Sequence, residues 1–407
     1  MNQLEVNKIR ADFPILNSKI NDKSLIYFDN AATTQKPQIM IDTVVNYYTK
    51  ENSNTHSQHF LAEQITFKVD QTRQQILDFV KADKKIYSVV FTKNATEAIN
   101  LVASSISKLL QKPSKIVLTT AEHHANLLPW QRLAKENNHD LEFIQILEDG
   151  NWDLKNIETL LDTPTKLVAL NWVSNVLGVI NPIQKIVDIC NQNQVYSIID
   201  ATQAVPHLEL DLDKVKPDFL AFSGHKIFGP TGIGVLIAKT ELLDKMAAYQ
   251  VGGEMVFSSS LLESTYQTGY QKFEAGTPNL AGIVGLSTSL KYLADLKSSF
   301  DIYFFEKQLY QKLRTNLKRI NDLKLIADTD NKIPLISFYH PKINDYDLGV
   351  FLDLAGVATR SGRHCAEPLH TILGINSSTR ASLAFYNTAS EIDNFCNYLE
   401  QAISKLK

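Results

Sequence analysis

Two side chains in this sequence have the chemistry of nucleophiles, Lys226 and Cys365, and their surroundings differ. Lys226 stands in DFLAFSGHKIFGPTGIGVLIAK, residues 218–239. There a short apolar run, Phe219 to Phe222, has the length of a buried strand. The chain breaks at Ser223-Gly224-His225-Lys226, turns at Gly229-Pro230 and enters a second apolar run, Val235 to Ala238. Lysine on such a loop can be a nucleophile, because partial burial lowers its pKa and frees the amine to form a Schiff base. An ordinary solvated strand-end lysine is the plainer reading of a lone Lys. Cys365 lies in TRSGRHCAEP, residues 359–368, with Arg360, Arg363 and His364 around it. Positive charge of that kind lowers a thiol's pKa from ~8.5 and raises its thiolate fraction. Cys190 and Cys396 sit inside helical apolar patterns and read as small buried hydrophobes.

The elements that must position these groups follow from the pattern of apolar runs. Strands are predicted at 88–92, 115–119, 141–147, 167–173 and 195–200, alternating with helices at 95–110, 127–137, 154–161 and 183–194. That alternation, with strands almost wholly apolar, predicts a largely parallel sheet covered on both faces. Earlier in the chain a strand is expected at 25–28 and helices at 37–50 and 60–82. After about 285 the texture changes to a long charged helix at 290–320, a strand at 333–339 and helices at 344–355 and 390–406. The fold class is therefore α/β, a large sheet domain over 21–288 with a smaller α+β domain from 1–20 and 289–407.

In a doubly wound sheet ligands bind beyond the carboxyl ends of the strands, and the suggestive residues fall there. Ala95 and Thr96 open a helix after the strand at 88–92, where free N–H groups and a hydroxyl suit a phosphate, or serve as a plain N-cap. His123 and His124 follow 115–119 and could stack on an aromatic ligand or move protons. A metal pair is disfavoured, because adjacent residues point apart and no further ligands are spaced nearby. Asn175 lies in a turn after 167–173. Asp200 ends a buried strand, where a carboxylate is costly unless it meets a cation such as a protonated pyridine nitrogen. Phosphate cradle, stacking histidine, ring-nitrogen acid and Schiff-base lysine in this order point to pyridoxal 5′-phosphate (PLP).

Nearly the whole chain resembles the fold-type I PLP enzymes of aminotransferase class V. Within them it is similar to the group II, Suf-type cysteine desulfurases, also called selenocysteine lyases. The matching stretches are YFDNAATTQKP, NATEAINLVA, AEHHANLLPWQ, NWVSNVLG, DATQAVPH, SGHKIFGPTGIGVL, FEAGTPN and RSGRHCAEPLH. The resemblance implies that Lys226 holds the cofactor and shuttles the proton, Asp200 pairs with the ring nitrogen and His123 stacks on the ring. Gln203 and Asn175 would bond the phenolic oxygen. Ala95, Thr96, Ser223 and His225 would hold the phosphate, and Thr277 would reach the phosphate of a second subunit in an obligate homodimer. Arg380, with Arg360 and Asn175, would bind the substrate carboxylate. Cys365 would take sulfur from L-cysteine, releasing alanine, and pass its persulfide sulfur to a Suf-type acceptor protein for iron–sulfur cluster assembly. The alternatives are a selenocysteine lyase, a kynureninase- or epimerase-like enzyme, and a scaffold without catalysis. Two departures stand out. Asn54-Thr55-His56-Ser57-Gln58-His59 lacks the basic-glycine step common between these histidines, and Arg363 stands where a histidine is common.

Bulk composition narrows the partners. The chain has 407 residues, 44% hydrophobic, with a formal charge of −3. That gives no electrostatic case for nucleic acid or an anionic membrane. No apolar run approaches the roughly 20 residues of a membrane span. The N-terminal residues lack a signal-peptide pattern, and three scattered cysteines imply neither a disulfide framework nor a metal cage. A cytoplasmic protein is expected.

Overall fold

The apolar runs between 87 and 239 assemble into one seven-stranded sheet in a computed structural model that describes residues 3–110, 113–162 and 164–407. Its strands are β1 (Tyr87–Thr92), β2 (Lys115–Thr119), β3 (Asp140–Ile144), β4 (Thr165–Asn171), β5 (Tyr196–Asp200), β6 (Phe219–Ser223) and β7 (Gly234–Lys239). They are ordered β1-β7-β6-β5-β4-β2-β3. Strands β2 to β6 pair in parallel, whereas β7 runs antiparallel to β6 and to β1. Successive side chains alternate between two apolar cores, Phe219 and Ala221 on one face and Leu220 and Phe222 on the other. With both faces covered, no polar alternation is needed, which is why these strands read as continuous apolar runs.

A second sheet of β8 (Lys324–Leu325), β9 (Leu335–Tyr339), β10 (Arg360–Gly362) and β11 (Ser378–Ser382) is antiparallel throughout, in the order β8-β9-β11-β10. It shares a core with helices Ile302–Leu317, Asp345–Leu354 and Ala389–Leu406. Strands β10 and β11 escape sequence reading because RSG and STRAS carry no apolar alternation. A hairpin of Val256–Ser259 and Ser264–Tyr266 escapes it for the same reason.

Several predicted elements differ in extent. The helix expected over 290–320 is two, Leu280–Ser299 and Ile302–Leu317. The second follows Asp301, whose carboxylate accepts from the Phe304 N–H at 2.9 Å and caps the new helix. The sequence boundary at 288 thus falls inside the continuous helix Leu280–Ser299. The helix over 37–50 ends at Asn46 and continues as a π-helical turn, Tyr47–Glu51. No helix among the described residues is long and apolar enough to cross a membrane.

Candidate active site

The carboxyl ends of β2, β4, β5 and β6 and the start of the helix Ala95–Ser105 surround one cavity of about 230 Å³. Ala95, Thr96, His123, Asn175, Asp200, Gln203, Ser223, His225, Lys226, Arg360 and Arg380 all line it. Thr277 lies elsewhere, in a neighbouring cleft where its hydroxyl accepts from the Asn54 amide at 3.3 Å, and His124 is not among the residues that line the cavity.

Lys226 sits in a single turn, Gly224–Lys226, between the antiparallel strands β6 and β7. Burial lowers its amine to about 8, and the carboxylate of Asp200 partly opposes that shift. Asp200 is 7% exposed and takes one bond on Oδ1 from the Thr202 N–H, at 2.9 Å. Burial holds His123 down at about 3, with Lys226 adding to the effect, so the ring is neutral. Its Nδ1 accepts from the Ala125 N–H at 3.0 Å, which leaves the proton on Nε2. At the other end of the cavity Ser223 Oγ accepts from the Ala95 N–H at 2.9 Å, joining β6 to the helix N-terminus.

Arg380, on β11, is 1% exposed. It donates to Asp29 Oδ1 at 3.0 Å and to the Asn175 carbonyl at 2.9 Å, so a side chain of the second sheet is locked into the cavity wall. Asp29 belongs to the polar loop Asp29-Asn30-Ala31-Ala32-Thr33-Thr34. The Gln203 amide donates to the Ala31 carbonyl at 2.8 Å, which ties the same loop to the β5 end. Glu122 escapes sequence reading. It is 2% exposed and accepts from Thr119 Oγ1, the Asn171 N–H, the Asn171 amide and the Asn126 amide, welding the ends of β2 and β4 beneath His123.

Cys365 is exposed and stands outside the cavity lining, with Arg360 as the nearest cation at 3.9 Å from Sγ. Of the three basic residues expected around the thiol, Arg360 is the one that contacts it among the described residues. Arg363 pairs with Glu367 and donates to the Asn376 carbonyl. His364 turns inward to Ser378 at 3.0 Å, and burial pushes its ring down to about 2, so it is uncharged. His364 and Cys365 both adopt left-handed backbone, φ +50° and +54°, which non-glycine residues rarely do. Two hydrogen bonds to its carbonyls hold that strained pair, and a third braces His124 behind it. The Asn175 amide donates to the His364 carbonyl at 2.8 Å, the His124 N–H to the Cys365 carbonyl at 2.7 Å, and the Glu367 N–H reaches the His124 ring at 3.4 Å.

Known proteins similar to this chain share one family. The aminotransferase class V family model matches residues 26–395. A probable cysteine desulfurase of Streptomyces coelicolor is 39% identical over 406 residues, covering 98% of this chain and 97% of that protein. The cysteine desulfurase of Synechococcus elongatus is 39% identical over 391 residues, but the chain spans only 62% of its length. The apo cysteine desulfurase of Thermococcus onnurineus NA1 superposes with a TM-score of 0.92 at 35% identity, with 98% of both chains covered. By its family match over most of its length, and by a cavity built on the same fold, this chain belongs to the class V aminotransferase family.

Proposed function

We propose that the chain is a PLP-dependent cysteine desulfurase of the group II type, converting L-cysteine to L-alanine and carrying the sulfur as a persulfide on Cys365. The observation that carries this reading is the convergence of Lys226, Asp200 and His123 on one cavity with an exposed thiol held at its rim. The donor set suits PLP: a buried carboxylate for a ring-nitrogen cation, a neutral imidazole for the ring face, a depressed amine, and a helix start beside Ser223 and His225 for a phosphate. Bound PLP supplies an electron sink for negative charge developing at the substrate α-carbon.

The protein's own residues do the rest. Lys226 Nζ, near its working range at neutral pH, takes the α-proton and later returns it. Arg380, with Arg360 beside it, orients the substrate carboxylate. Cys365 Sγ, 3.9 Å from the Arg360 guanidinium, attacks the substrate sulfur. The S–S bond of the persulfide forms as the substrate Cβ–S bond breaks, and the electron pair of that bond stays with the carbon that takes a proton and becomes the alanine methyl. The persulfide sulfur then passes to a protein acceptor for iron–sulfur cluster assembly. Thr277 serves the phosphate of a second copy in a homodimer. The large unit runs from 21 to 288 and passes within the helix Leu280–Ser299 into the smaller one, 1–20 and 289–407.

Sulfide and alanine release from L-cysteine, compared between wild type and Cys365→Ala, tests the proposal. The variant is expected to take up PLP fully, be yellow, and release almost no sulfur. Normal desulfuration by Cys365→Ala would remove the thiol assignment, and turnover of selenocysteine alone would change the substrate.

A further inference from the structure

The carbonyl oxygen of His225 belongs to the peptide bond that leads into Lys226, and it collects four donors. The Thr34 N–H and Thr33 Oγ1 each lie at 3.1 Å, Thr34 Oγ1 at 3.2 Å and Lys36 Nζ at 2.8 Å. A carbonyl offers two lone pairs, so four donors exceed what any turn needs to satisfy it. The grip continues past the lysine, since Thr34 Oγ1 accepts from the Phe228 N–H at 2.8 Å. Phe228 is 1% exposed and left-handed, φ +66°, and its ring is 4.7 Å from that of Phe385.

Lys36 is the unusual member of this set. Its amine donates to two carbonyls, Thr34 O at 2.6 Å and His225 O at 2.8 Å, and forms no ion pair with a carboxylate among the described residues. Burial lowers it to about 7. A half-buried cation is costly without a counter-charge, and a solvated loop would turn such a side chain outward. Here it is spent on the peptide that carries the reactive lysine.

We infer that Lys36 is a positioning residue for Lys226, fixing the His225–Lys226 peptide and hence the arc through which Lys226 Nζ swings. The inference rests on the proposed role of Lys226. A lysine that both holds a cofactor and moves a proton at a neighbouring carbon works over an arc of a few ångströms, and an error of about 1 Å there can cost about 100-fold.

The test uses full-length Lys36→Met, Lys36→Arg and the milder Thr33→Val. In PLP-stripped protein, borohydride trapping and peptide mass mapping give the rate at which PLP becomes attached to Lys226. In holoprotein, kcat and KM are measured with L-cysteine. Lys36→Met is expected to slow attachment and lower kcat by roughly 10-fold each, while KM stays within about threefold. Lys36→Arg recovers most of both, and Thr33→Val shows a smaller loss in the same direction. A merely structural pin would lower the melting temperature and leave attachment rate and kcat per folded molecule unchanged, which overturns the inference. So would Arg failing to rescue a well-folded Met variant. If wild type attached PLP but did not turn over L-cysteine, the proposed function would fail while the attachment rates still measured the placement of Lys226.

Discussion

Burial is what makes the Lys226 amine usable near neutral pH. An exposed lysine amine is almost wholly protonated at pH 7, whereas one lowered to about 8 is neutral in a useful fraction of molecules. In PLP-stripped protein, Lys226 labelling by an amine reagent should therefore rise through a midpoint near pH 8. Asp200→Asn should move that midpoint lower, because the carboxylate favours the ammonium form, and an unmoved midpoint would show that Asp200 does not face the amine. Arg380 invites a parallel test. Its guanidinium already holds Asp29 and the Asn175 carbonyl, so Arg380→Lys keeps the charge but loses the planar fork. KM for L-cysteine is expected to rise roughly 10- to 100-fold, the cost of about one to two charge-assisted bonds.

Among the elements, β7 passes close against the start of the helix Ala95–Ser105. A Cβ built on Gly234 would stand 2.4 Å from the Asn94 backbone, and backbone cannot step aside as a flexible side chain can. Gly234→Ala should push β7 off the helix N-terminus. Thermal melting should drop by several degrees, and PLP affinity measured by fluorescence should weaken with it, since the same helix start faces the cavity. The Cys365 loop is held differently. Its left-handed pair is fixed by single hydrogen bonds from Asn175 and His124. Asn175→Ala should raise the hydrogen-exchange rate across 362–367 and lower sulfur release, with strand protection unchanged. The parallel strands were legible from their apolar runs. Strand β11, which carries Arg380, was not, because Ser-Thr-Arg-Ala-Ser owes its burial to neighbours on both sides rather than to its own composition.

For the molecule as a whole, the loop 29–36 is the joint between the sheets. Asp29 meets Arg380 from the second sheet, while Thr33, Thr34 and Lys36 grip the peptide before Lys226 in the first. The aromatic cluster of Phe13, Phe228, Phe385 and Tyr386 lies behind it. Thr277, by contrast, opens onto a neighbouring cleft of its own chain. If a second copy supplies it, sedimentation should show a dimer. Mixed dimers of Thr277→Ala and Lys226→Ala protomers should then place both lesions in one of the two sites and leave the other intact, recovering up to half the wild-type activity. A monomer with full activity would remove Thr277 from the site.

The sequence by itself determined the order in which reactive groups follow buried strands. Strand composition is dictated by burial on both faces, and ligand chemistry falls at the strand ends that such a sheet exposes. What only the tertiary structure decided was which charges reach those groups. Arg363 and His364 are neighbours of Cys365 in sequence, yet one is paired to Glu367 and the other is buried and neutral. Asp29 and Lys36, far from Arg380 and Lys226 along the chain, stand directly against Arg380 and the peptide before Lys226. Charge acts through distance and solvent exposure, and both are set by packing between segments that no local pattern connects.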